Sequence, residues 1–89
     1  MTDVMAVTKI KVLVTFNGLE RTLEANPRAA VASLLAHALD AFAITANRHL
    51  MALYFNDNRE ITDTSRSIAD WGIAATTKLV LRQSAILAG

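Results

Sequence analysis

Three side chains in one helical stretch carry the residue types of acid–base catalysis. Ser33, His37 and Asp40 fall at i, i+4 and i+7, so a helix places a hydroxyl, an imidazole and a carboxylate on one face. A working triad needs a pocket, an oxyanion site and a base fixed by a buried partner. That face also carries Arg28 and reads as solvated, which favours an ordinary polar surface. His37 and His49 raise a metal, but zinc takes three or four closely spaced ligands, and only Asp57 and Asp63 lie within reach. Asn56-Asp57-Asn58 looks like a fragment of a calcium loop without the required glycine and later glutamate, and reads as a turn. The chain contains no cysteine, which removes thiolate nucleophiles, disulfides and cysteine metal sites. The expectation is a chain that is not an enzyme, with no catalytic residue, metal or cofactor.

The elements follow from hydrophobic period. Ile10, Val12, Val14 and Phe16 alternate with Lys9, Lys11, Leu13 and Thr15, the pattern of a half-buried strand. Asn17-Gly18 is a strong hairpin signal, because both turn residues accept positive φ. A two-residue turn then pairs Phe16 with Leu19, Val14 with Arg21, Val12 with Leu23 and Ile10 with Ala25. Asn26 as cap and Pro27 at the first helical position predict a helix whose buried stripe is Val31, Leu34, Leu35, Ala38, Leu39 and Phe42. The helix is expected to fade over residues 44–47. A strand over 49–55, a turn at 56–58, a short strand over 59–62 anchored by Ile61, a helical turn around Ile68 to Gly72, and a strand over 77–82 complete the chain. In the last strand Leu79 and Leu81 face one way and Lys78, Val80 and Arg82 the other. Strands plus one long helix in 89 residues imply a single α+β domain, one sheet with the helix across one face.

Composition bounds the partners. The chain is 53% hydrophobic and 19% charged, with a net charge of +1, which marks a globular domain. It gives no electrostatic case for nucleic acid or an anionic membrane. The N-terminus carries Asp3 where a secretory signal needs basic residues, and no apolar run approaches a membrane span. The expected location is therefore cytoplasmic and the expected state a monomer. Heavy use of alanine and arginine points to a bacterial, GC-rich genome.

The stretch "LYFNDNREITDTSRSIADWGIAATTKLVLR" resembles the second half of ubiquitin. The matching positions are Leu53 and Phe55, Ile61, Ile68 with Asp70, Trp71 and Ile73, and Leu79-Val80-Leu81-Arg82. The first half matches in pattern, a hairpin followed by a proline near the helix start. The resemblance covers roughly residues 9–82 and implies the ubiquitin-like β-grasp fold, a mixed sheet of four to five strands with one long helix packed across it. Residues 1–8 are then a flexible leader and 83–89 a C-terminal tail.

The resemblance implies protein binding. Tyr54 and Val80 match the isoleucine and valine at the centre of ubiquitin's partner patch, and Leu13 points the same way with Lys78, Thr15 and Arg82 around them. An apolar cluster with a polar rim on a sheet face is also the general form of a docking surface. Trp71 is expected to half-cover the end of the sheet with its indole N–H on a backbone carbonyl, the alternative being an exposed anchor. The tail "QSAILAG" ends in glycine, and in ubiquitin-like modifiers and sulfur carriers that carboxylate is adenylated by an ATP-dependent activating enzyme. A residue without a side chain threads the narrow channel beside the reacting carbonyl. The implied activation residues are Gly89, Ala88 and Arg82. Departures are clear: the first loop is shorter than ubiquitin's, the chain-forming lysine position falls on Asn58 or Arg59, and the helix holds no lysine. The alternative is a non-conjugated accessory subunit of a multicomponent oxygenase or secretion system, whose sheet also docks a partner.

Overall fold

The computed structural model describes residues 9–84. The leader expected at 1–8 and the tail residues 85–89, with Ala88 and Gly89, lie outside the described residues. Strand β1 (Ile10–Phe16) turns at Asn17-Gly18 into β2 (Leu19–Ala25) in the register the two-residue turn dictates, Phe16 opposite Leu19 through Ile10 opposite Ala25. Asn17 and Gly18 have φ of 52° and 81°, the mirror-image turn whose twist matches that of the flanking strands. Helix α1 (Val31–Ala41) follows, then a 3₁₀ turn (Arg48–Leu50), β3 (Met51–Phe55), a second 3₁₀ turn (Ala69–Trp71) and β4 (Lys78–Gln83). The sheet order is β2-β1-β4-β3, with β1 and β4 parallel and the other neighbours antiparallel.

One core lies between the sheet and α1. Val12, Val14, Leu23, Leu53, Leu79 and Leu81 face Val31, Leu34, Ala38 and Leu39 of the helix, all buried. The long segment between β3 and β4 contributes Ile61, Ile68 and Ile73 to that core. It turns on Gly72, whose φ of 79° suits a residue without Cβ.

Four expectations need correction. The helix begins at Val31, not Pro27. The Asn26 carboxamide accepts the Arg28 N–H at 2.9 Å and closes a local turn instead of capping the helix. Ala30 stays extended and bridges Ser67, and the first helical N–H groups of Val31 and Ala32 donate to the carbonyls of Arg66 and Thr64. The cap is thus a distant loop backbone. The helix ends at Ala41 rather than fading over 44–47. The strand expected over 59–62 is a single bridge of Glu60 to Tyr54, although Ile61 is buried as expected and its N–H reaches the Leu53 carbonyl. Finally, β4 includes Gln83, and Ser84 is fully buried, so the folded unit passes beyond residue 82.

The end of α1 carries a testable local strain. Ala43 has φ of 56°, its N–H donates to the Asp40 carbonyl, and the Ile44 N–H donates to the Leu39 carbonyl. This is a Schellman cap with alanine where glycine is usual. The left-handed conformation costs a non-glycine residue about 1–2 kcal/mol, while glycine loses up to about 1 kcal/mol more chain entropy on folding. Ala43→Gly is therefore expected to be neutral to stabilising, by up to about 1 kcal/mol, in urea denaturation. Most Ala→Gly changes inside α1 are expected to act in the opposite sense.

Candidate functional site

The outer sheet face, opposite α1, assembles from register alone. Tyr54 stands directly across from Val80, Val80 from Thr15, and Leu13 from Lys78. The expected cluster is therefore contiguous over β3, β4 and β1. Its members differ in exposure: Leu13 and Val80 are half-buried, Lys78 is exposed, and Tyr54 is only 3% exposed.

Tyr54 is buried by its own neighbours. The Arg82 guanidinium lies over its ring, 3.9 Å from the centroid, a cation–π contact. Its hydroxyl donates to Glu60 Oε1 at 2.6 Å and lies 3.4 Å from the Gln83 carbonyl. Glu60 Oε2 accepts the Ser84 hydroxyl at 2.6 Å, and the Ser84 N–H donates to the Leu50 carbonyl at 2.7 Å. One carboxylate thus ties the Tyr54 phenol to the end of β4. The sequence did not reveal Glu60 because its role depends on a turn that folds it back onto Tyr54 and on Ser84, 24 residues further along the chain. Its place beside Ile61 was the only local signal. Arg82, expected on the outer side of the last strand, is held in β4 with its guanidinium against an aromatic face.

The remaining candidates separate. Ser33, His37 and Asp40 are all exposed on α1, and no hydrogen bond joins any two of them. Asp40 pairs with Arg48 at 3.0 Å, whereas Ser33 and His37 line a shallow groove with Lys9, Glu24 and Asn26. His49 is exposed on the 3₁₀ turn before β3. Among the described residues no three histidine, cysteine or acidic side chains come together as a metal site. Asn56-Asp57-Asn58 is a turn, with Asn58 at φ 71° and the Asp57 carboxylate held by the Arg59 guanidinium at 2.9 Å. Among the described residues no helix is long and apolar enough to cross a membrane.

Trp71 takes the structural role expected of it and is not an exposed anchor. It is half-buried against the core, 6.3 Å from the Phe55 ring, and its indole N–H donates to the Asp63 carbonyl at 2.9 Å. The same Asp63 closes its own loop: Ser65 donates to Oδ1 from its hydroxyl at 2.5 Å and its backbone N–H at 3.1 Å. Those two hydrogen bonds, with Arg66 nearby, hold the Asp63 carboxyl below the usual carboxylate range.

Together the sheet order, the single helix and the two 3₁₀ turns define a ubiquitin-like fold. Among solved structures, the chain is similar to a ubiquitin-like domain of an Arabidopsis thaliana protein. The identity is 25% over 93% of this chain and 85% of that one, with a TM-score of 0.73. It is also similar to the UBL domain of Plasmodium falciparum Dsk2, at 20% identity over 86% and 100% of the chains with a TM-score of 0.73. ATBAG1, solved in complex with HSP70, gives 18% identity over 89% of this chain and 42% of that one, with a TM-score of 0.72. No protein-family model matches the chain, and no curated protein sequence matches it.

Two outcomes follow from the site. Glu60→Ala removes the acceptor shared by two buried hydroxyls and should lower stability by about 1–3 kcal/mol in chemical denaturation. Ser65→Ala should raise the Asp63 titration midpoint in a carboxyl-carbon NMR titration. Because the folded value is lowered, Asp63 contributes stability above its unfolded midpoint. It loses that contribution as pH falls through the folded one.

Proposed function

We propose that this chain is a non-catalytic protein-binding domain that docks a partner through the outer face of its sheet. One observation carries the reading: Leu13 and Val80 form an apolar centre, Lys78 stands exposed beside it, and Arg82 roofs Tyr54. Half-buried apolar side chains with a cationic rim on a solvated sheet face form a docking surface. The likeness to ubiquitin-like domains supports this, and a chain of similar fold, ATBAG1, is known in a complex with HSP70. The patch comprises Leu13, Tyr54, Lys78 and Val80, with Tyr54 acting as support for Arg82 instead of as an exposed anchor.

The finer reading makes the chain a modifier or carrier whose Gly89, after Ala88, is activated by an ATP-dependent enzyme. What supports it is the fold and the arginine at position 82. As an accessory subunit of an oxygenase or secretion system the chain uses the same face with its C-terminus unmodified.

Val80→Asp places a carboxylate at the centre of the patch without touching the core. It is expected to reduce affinity capture of a cellular partner at least about tenfold, the effect of burying one unpaired charge at an interface. Ser33→Ala on the helix face is expected to leave capture unchanged. Undiminished capture by the Val80→Asp protein rejects the docking face. Intact mass after incubation with ATP, a sulfide donor and the host's activating enzymes then tests the finer reading: a C-terminal thiocarboxylate formed as sulfide displaces AMP from the acyl-adenylate, or a conjugate, lost on deleting Gly89, supports a modifier.

A further inference from the structure

Among the described residues the sheet order leaves β2 as an edge along its whole length of seven residues. The direction of its free backbone groups follows from β1. The Leu13 N–H donates to the Thr77 carbonyl, and the Lys11 carbonyl accepts the Thr76 N–H, so odd-numbered residues of β1 bond to the β4 side. Even-numbered residues of β1 therefore bond to β2, through Leu19, Arg21, Leu23 and Ala25. The N–H and C=O groups of Glu20, Thr22 and Glu24 point outward, and none of them takes part in a backbone hydrogen bond among the described residues.

The side chains along this edge are sorted by face. Glu20, Thr22 and Glu24 stand on the outer face, all exposed, and neither glutamate holds an ion pair among the described residues. Leu19, Arg21 and Leu23 stand on the helix side. Leu19, 59% exposed, is the large apolar side chain that the fold leaves in water among the described residues. Arg21 leans over the Phe42 ring at 5.9 Å.

Self-pairing is opposed. A two-fold antiparallel pairing of β2 with a second copy, centred on Thr22 to use the full edge, sets Glu20 against Glu24 twice. Like charges directly opposite destabilise a strand pair, and charged side chains are a usual guard on exposed edges. The same charges favour a strand of opposite sign. We propose that β2 is a second docking site that takes an extended basic segment of another protein as an added strand. The segment carries lysine or arginine opposite Glu20 and Glu24, four residues apart, and apolar side chains on its alternate face over Leu19 and Leu23. Main-chain bonds to Glu20, Thr22 and Glu24 supply the general attraction, and the two carboxylates set the choice of partner.

The probe is a blocked nine-residue peptide alternating lysine with valine, titrated into the isotope-labelled chain. The matched control has glutamate in place of lysine. The lysine peptide is expected to shift amide resonances of residues 19–25 and to slow hydrogen exchange at Glu20, Thr22 and Glu24. The amides of Arg21 and Leu23 already bond to β1 and should change little in exchange. The glutamate peptide is expected to bind about tenfold more weakly or less, from two reversed cross-strand charge pairs. The double variant Glu20→Lys, Glu24→Lys should invert that preference; lysine at position 24 would face Lys11 across the hairpin, so a cooperative thermal melt and an unchanged circular dichroism spectrum check that the variant is folded. The idea is overturned if the lysine peptide fails to bind, or if its shifts centre on Leu13 and Val80. Indifference of the double variant to peptide charge overturns it as well. The amide map is independent of partner capture at Val80, so the two docking faces fail separately.

Discussion

The parallel pairing of β1 with β4 is the contact on which the rest depends. It joins Leu13, Val14 and Thr15 to Lys78, Leu79 and Val80 across almost the whole described chain. Because a parallel pair needs a long crossover, the helix, both 3₁₀ turns and β3 must all fit between its two strands. The same pairing puts Val14 and Leu79, both fully buried, side by side under α1. On the opposite face it brings Leu13, Lys78, Thr15 and Val80 together. It also fixes which strands are edges, and so leaves β2 open.

The outer face is a compromise between apolar and polar cover. A tyrosine at the centre of a sheet face has a phenol that needs a partner when buried. Here Glu60 supplies it, and the same carboxylate takes the Ser84 hydroxyl. Arg82 covers the ring itself. The consequence is a surface whose apolar character comes from Val80 and Leu13, under a mobile-length cationic side chain that keeps water off Tyr54. Ser84 is drawn into the fold by this network, which ties the path of the chain after β4 to the short bridge before Ile61.

Much of this was legible in the residues themselves. The hairpin register is local: Asn17-Gly18 sets the turn, and the alternation of Ile10, Val12 and Val14 sets the face. The position of Trp71 was legible for a similar reason, since a large aromatic beside a glycine stop has few places to go in a small core. The helix start was not. Asn26 and Pro27 read as a cap, but the carboxamide is used two residues on, and the first helical donors find carbonyls of the loop at Thr64 and Arg66. A local signal lost there to a tertiary one. The strand expected at Arg59 failed differently: only Glu60 reaches β3 in register, because the turn at Asn58 and the descent of Ile61 into the core leave no room for a second pair.

The sequence by itself determined which way each strand and the helix face and most of the apolar core between them, because those follow from periods of 2 and 3.6 and from turn chemistry; the burial of Tyr54 and Ser84 did not follow from it. Only the tertiary structure decided which strands are neighbours, and therefore that Tyr54 stands across from Val80 and that β2 is an edge. Only it decided that Ser33, His37 and Asp40 stay apart in function, with Asp40 drawn to Arg48, and that Glu60 joins Tyr54 to Ser84. The physical reason is common to all of these. Period and turn type act over a few residues, whereas hydrogen bonds and charge contacts across the sheet exist only after distant segments have been brought to the same place.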